Sequence, residues 1–134
     1  MLICLALAAC RASLPKGCPP DCSGVNLSGQ DLTAVNFRGA DFQSANLSHT
    51  QLRKADLRDA NLAGVDLSFA DLVGADLSNA TLVGARLYRT HLSDANLDQT
   101  NFAGADLTGA ILTRVDLTTA DLRGDPQQCS TDWR

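Results

Sequence analysis

From Leu27 onward a large apolar residue stands at every fifth position, beginning Leu27, Leu32, Phe37, Phe42, Leu47 and running through Leu72, Leu77, Leu82 and Phe102 to Leu122, unbroken over 20 units. Two residues before it stands Ala or Val in 16 of the 20 units, and one residue before it Asp or Asn in 15. The unit reads [AV]-[DN]-[LF]-x-x over residues 25–124, and repetition on this scale outranks local propensity. A step of five residues turns an α-helix by about 140°, which would scatter the leucines around the cylinder. On a flat strand the side-chain period is two, so successive leucines would point to opposite faces. A chain that turns a corner once per unit and stacks coil upon coil keeps them all inside. The pattern predicts a β-solenoid.

The glycines suggest the size of the coil. Gly24, Gly64, Gly84, Gly104 and Gly124 fall on one 20-residue comb, with Ser44 filling the gap. Four units then make one coil, and residues 25–124 make five coils, about 24 Å long at roughly 4.8 Å per stacked strand. The inward ladders, such as Leu27, Leu47, Leu67, Leu87, Leu107 and Phe42, Leu62, Leu82, Phe102, Leu122, supply the core.

The repeat resembles the A(D/N)LXX motif of the pentapeptide-repeat family across all 20 units. The resemblance implies an all-β, right-handed quadrilateral parallel β-helix, with Leu or Phe and Ala or Val inward and the other three residues of each unit outward. It does not imply one activity: members include DNA-mimicking gyrase inhibitors, developmental regulators of cyanobacteria and exported proteins without an assigned role.

The segments flanking the repeat read differently. Residues 1–10 (MLICLALAAC) are about half the length that crosses a bilayer as a helix. They resemble a secretory or lipoprotein leader, with Cys10 as the residue lipidated. Residues 11–24 hold three of the four prolines and form a linker and N-terminal cap. Cys18 and Cys22 bracket Pro19, Pro20 and Asp21; they fit a small disulfide loop in an oxidising compartment. Cys22 equally fits an incomplete first repeat, as a buried small hydrophobe. In residues 125–134, Pro126 stops the coil, Trp133 is placed to cover its open end, and Cys129 is free or intermolecular, too far from Cys18 and Cys22 to bond them.

Of the outward positions, the Asp/Asn columns are expected to serve the corners, because these side chains bond their own backbone in turns. Departures from the repeat are more informative. His49, Phe69 and Arg89 occupy one outward column on three consecutive coils, with Tyr88 and Arg86 beside them and His91 at the next corner. This aromatic and cationic patch is the candidate partner site. Arg53, Lys54 and Arg58 face elsewhere and read as ordinary surface. The Gly64, Gly84, Gly104, Gly124 edge lies beside Ala63, Val83 and Ala103, a smooth strip suited to lateral homodimerisation.

Composition narrows the function. With 11 Lys+Arg against 15 acids, all of them Asp, the net charge is −4, which leaves no basic footprint for nucleic acid or an anionic membrane. Neither histidine sits in a catalytic motif, and no phosphate loop or metal-ligand spacing is present. The expectation is a non-catalytic interaction protein without cofactor, monomer or lateral dimer. It would be exported to the periplasm or thylakoid lumen, or held on a membrane by lipid alone, and cytoplasmic if residues 1–10 are no signal. Its partner is an unidentified protein; the alternative is a DNA-mimicking gyrase inhibitor, for which residues 25–124, with 12 Asp and 8 Lys+Arg, lack a dense acidic track.

Overall fold

The computed structural model describes residues 14–124; Cys10, Pro126, Cys129 and Trp133 lie outside them. Where the five backbone N–H groups of each unit go explains the architecture. In residues 60–64, Ala60 donates to the Leu57 carbonyl at 3.1 Å, closing a corner. Asn61 donates to Ala40 of the coil before, while Leu62 and Gly64 donate to Thr81 and Val83 of the coil after, all at 2.7–2.9 Å. The fifth donor, Ala63, has no backbone partner and bonds Asn61 Oδ1 at 3.2 Å. Every donor of this unit is satisfied within the chain.

This pattern repeats as parallel bridges between residues 20 apart, from Asp21↔Asp41 to Asn101↔Asp121. Four units therefore close one coil, and the coils stack into four walls. The repeat geometry starts at Asp21. Cys22 takes the place of the first Leu, 2% exposed beneath Phe42, and is also disulfide-bonded to Cys18, with Cα atoms 4.7 Å apart. Both readings of Cys22 describe one residue.

Each corner needs one residue with positive φ. Every fifth residue from Gly24 to Arg114, and again Gly124, has it, at 53–71° except for 101° at Gly124. The Leu carbonyl, the positive φ two residues on and the N–H three residues on are the signature of a type II turn. Nine of the ten glycines stand at this position, where L-residues pay about 1–2 kcal/mol.

The interior is filled by the Leu/Phe column of each wall, 0–4% exposed from Cys22 to Leu107. Phe37 and Phe42 meet edge to face at 4.9 Å. Three of the departures from Ala/Val are inward threonines with their hydroxyls satisfied: Thr50, Thr90 and Thr100 donate to the carbonyls of Leu47, Leu67 and Leu77 at 2.6–3.0 Å. Two residues at outward positions, Ser68 and Ser93, are instead buried.

The last coil is looser. Leu112, Leu117 and Leu122 are only half-buried against the core. Among the described residues, Asn96 and Asp116 do not form the bridge made by their equivalents one coil earlier, Asp76↔Asn96. The Gln99 N–H finds Thr119 Oγ1 instead of a carbonyl, and Thr119 is the one corner residue among the described residues without positive φ. The gap is an open cleft of about 390 Å³ lined by Ala95, Asn96, Leu97, Asp98, Asp116, Thr118 and Thr119.

Candidate functional site

The Asp/Asn side chains are accounted for by the corners. All 15 that stand just before the Leu or Phe of a unit in residues 25–124, and Asp21, accept a bond from the N–H two residues ahead, at 2.9–3.3 Å. These bonds favour the carboxylate. Those from Ser23, Thr33 and Thr118 hold Asp21, Asp31 and Asp116 below their ordinary 3.8, and Arg123 brings Asp121 to about 2. Among the described residues no group of His, Cys or Asp side chains is arranged to hold a metal ion.

The basic residues are mostly neutralised as well. Of seven arginines in the described residues, six lie within 4.0 Å of an aspartate: Arg38 with Asp59, Arg53 with Asp71, Arg58 with Asp56, Arg86 with Asp66, Arg114 with Asp94 and Arg123 with Asp121. The second basic cluster is thereby partly discharged, leaving Lys54. Arg89 is the seventh, and it has no acidic partner among the described residues.

Arg89 belongs to a chain of rings on one corner. His49 and Phe69, one coil apart, stack at 4.9 Å with 6° between their planes. Tyr88 meets Phe69 edge to face at 5.4 Å, and the Arg89 guanidinium lies 5.3 Å from the centroid of the Tyr88 ring. His49, Phe69 and Arg89 all have positive φ, 58°, 60° and 53°, and Phe69 remains 46% exposed. The coil stacking places these residues on consecutive rungs, so the column read from the sequence becomes a continuous surface.

The other two residues expected there are held differently. Arg86 leans on Asp66 at 3.7 Å. Burial works to raise the Asp66 pKa, but the Ser68 N–H bonded to it and the charges of Arg86 and His49 outweigh that and lower it. His91 stands on the next wall with Nε2 3.0 Å from Ser93 Oγ. The guanidinium over Tyr88 and its lack of an acid were not legible in the column alone; the signal available was Tyr88 itself, the one tyrosine, next in sequence to Arg89.

The smooth edge also exists. Gly84 and Gly104 face open space, and a Cβ on Gly64 would touch only Ser44 Oγ at 3.6 Å, while Val83 beside them is 41% exposed.

A coil filled by one five-residue unit repeated along the chain defines a repeat protein. The pentapeptide-repeat pattern matches residues 21–59, 60–99 and 85–124, in eight copies, and the chain belongs to that family. It is similar to a pentapeptide-repeat protein from the thylakoid lumen of Arabidopsis thaliana, with 34% identity and a TM-score of 0.56, over 81% of this chain and 72% of that one. It also shares its fold with full-length QnrB1, a plasmid-mediated fluoroquinolone resistance protein, at 22% identity and a TM-score of 0.52, over 82% of this chain and 62% of that one. No curated protein matches the chain.

Proposed function

We propose that this protein is a non-catalytic scaffold, coiled as a right-handed quadrilateral β-helix, that presents the His49–Phe69–Tyr88–Arg89 corner to a protein partner. The observation that carries this reading is the use of His, Phe and Arg on three consecutive rungs at a backbone position that favours glycine. Large side chains in that conformation are unfavourable for the coil, and exposed clusters of aromatic residues with Arg are the usual anchors of interfaces. The test is capture of cellular partners by photo-crosslinking with the intact chain and with a Phe69→Gly, Arg89→Gly double variant, in which both corners receive their preferred residue. Loss of the captured protein in the variant is expected; its full retention overturns the reading.

Export is the companion proposal. The Cys18–Cys22 disulfide belongs in an oxidising compartment, and the Arabidopsis relative is lumenal. Among the described residues no helix is long and apolar enough to cross a membrane. Cell fractionation combined with alkylation of free thiols checks it: a cytoplasmic protein with Cys18 and Cys22 both alkylated counts against it. Gyrase inhibition is the less favoured role, because most aspartates are bound into corners and seven are paired with arginines, which leaves no DNA-like row of charge. A supercoiling assay is expected to show no inhibition.

A further inference from the structure

The unpaired arginine gives the partner a chemistry. Six of the seven described arginines meet an aspartate of their own chain, on a molecule rich in aspartates, whereas Arg89 pairs with none among the described residues. Its position is built. The guanidinium lies over Tyr88, and its stem crosses Gly109 on the next rung, where an added Cβ would come within 3.1 Å of Arg89 Cγ. One rung away the Phe69 ring, backed by His49, is 46% exposed. The surface therefore sets one uncompensated positive charge beside one apolar face.

We propose that this corner binds an extended, acidic segment of a partner protein, in which an Asp or Glu stands two residues from an aromatic or aliphatic side chain; the proposal rests on the corner being the docking surface. The spacing follows from the rungs. They are about 4.8 Å apart, and in an extended peptide side chains on one face recur about every 6.6–6.8 Å, a difference the length of an arginine side chain covers. The carboxylate meets the guanidinium fork, and the apolar group lies on Phe69. A nucleic acid is disfavoured, since binding its phosphates requires several cations together, and at this corner Arg89 is the one arginine without an aspartate among the described residues, on a chain of net charge −4.

The test uses the full ¹⁵N-labelled chain and two capped pentapeptides, Gly-Phe-Gly-Asp-Gly and Gly-Phe-Gly-Lys-Gly, followed by amide chemical shifts. The acidic peptide is expected to shift the amides of His49, Phe69, Tyr88 and Arg89, and the lysine peptide to bind about tenfold more weakly, the loss of one charge-assisted contact. Arg89→Gly, which gives the corner its preferred residue and so keeps the fold, should lower binding of the acidic peptide by about the same factor, and Arg89→Glu should reverse the preference. Equal binding of the two peptides, unchanged binding in Arg89→Gly, or shifts confined to another wall overturns the proposal. So does inorganic phosphate or a short DNA duplex binding at Arg89 as tightly as the acidic peptide. If the peptides fail while the double variant still loses its crosslinked partner, the partner chemistry is wrong and the docking corner stands; if both fail, the corner itself is wrong.

Discussion

Two neighbouring corners of the coil share one backbone and carry different side chains. The first runs Gly24, Ser44, Gly64, Gly84, Gly104, Gly124, and the second Gly29, His49, Phe69, Arg89, Gly109; all eleven residues have positive φ. The hydrogen-bond plan is the same at both, so the coil does not ask for rings at the second. Left-handed geometry costs a bulky L-residue about 1–2 kcal/mol, and ring stacking or a cation–π contact returns about 0.5–1.5 kcal/mol. The second corner is no more stable for its aromatic residues. What they add is an exposed, chemically distinct surface, and the first corner shows how the same position looks without it.

Acid is expected to have the largest effect, because it acts on both corners at once. Asp21, Asp31, Asp94, Asp106, Asp116 and Asp121 have folded pKa values below the ordinary 3.8. Their contribution is present above about pH 4 and disappears as pH falls through the lowered folded values. Thermal unfolding should thus be flat in these groups between pH 5 and 8 and fall steeply toward pH 2. A loss already complete at pH 5 would contradict the corner bonds. Next in size is Leu72→Ala, in the wholly buried interior that both corners share; it should cost about 2–5 kcal/mol, read as a lowered denaturation midpoint.

The comparison itself is sharpened by exchanging residues between the corners. Gly84→Ala has open space for its methyl, so its cost of about 1–2 kcal/mol would be backbone strain alone. The reverse change, Phe69→Gly, relieves strain while losing two ring contacts and should alter stability by less than about 1 kcal/mol. If Phe69→Gly proved as damaging as Leu72→Ala, the ring would be structural and the distinction between the corners would fail. Thr81→Asn gives the Val83 N–H the side-chain acceptor that the regular units have, and is expected to stabilise by about 0.5–1 kcal/mol in urea unfolding.

The regularity of the coil was legible in the sequence because a five-residue period leaves few ways to bury every Leu. Leu72, Leu77 and Leu82 are inside as that argument requires. The use of Asp and Asn before the Leu or Phe of a unit followed from their turn chemistry, and each of those makes the expected backbone bond. The corner conformation was less apparent: the 20-residue comb of five glycines concealed the stronger rule that nine of ten stand at one place in the unit, since Lys54, Phe69 and Arg114 there obscure it. Buried Thr90 and Thr100 looked like departures from a small apolar position, and become regular only when their hydroxyls find the carbonyls of the coil before. Of the patch, the alignment of His49, Phe69 and Arg89 needed only the coil length. The separation of His91 onto Ser93, and of Arg86 onto Asp66, depended on side-chain directions that no periodicity contains. The opening between Asn96 and Asp116 has no counterpart in the repeat, whose residues there are as regular as elsewhere.

The 20-residue register of the bridges also limits how such a molecule can change its length. An insertion of one or two residues would turn leucines out into water, and five would keep them inside but advance everything downstream by a quarter turn, parting Arg89 from Phe69 if placed between them. Twenty residues added before His49 or after Gly109 would lengthen the rod by one rung, about 4.8 Å, and leave the patch undisturbed. Growth by duplication is therefore quantised, in small steps for the core and in large ones for whatever the surface recognises.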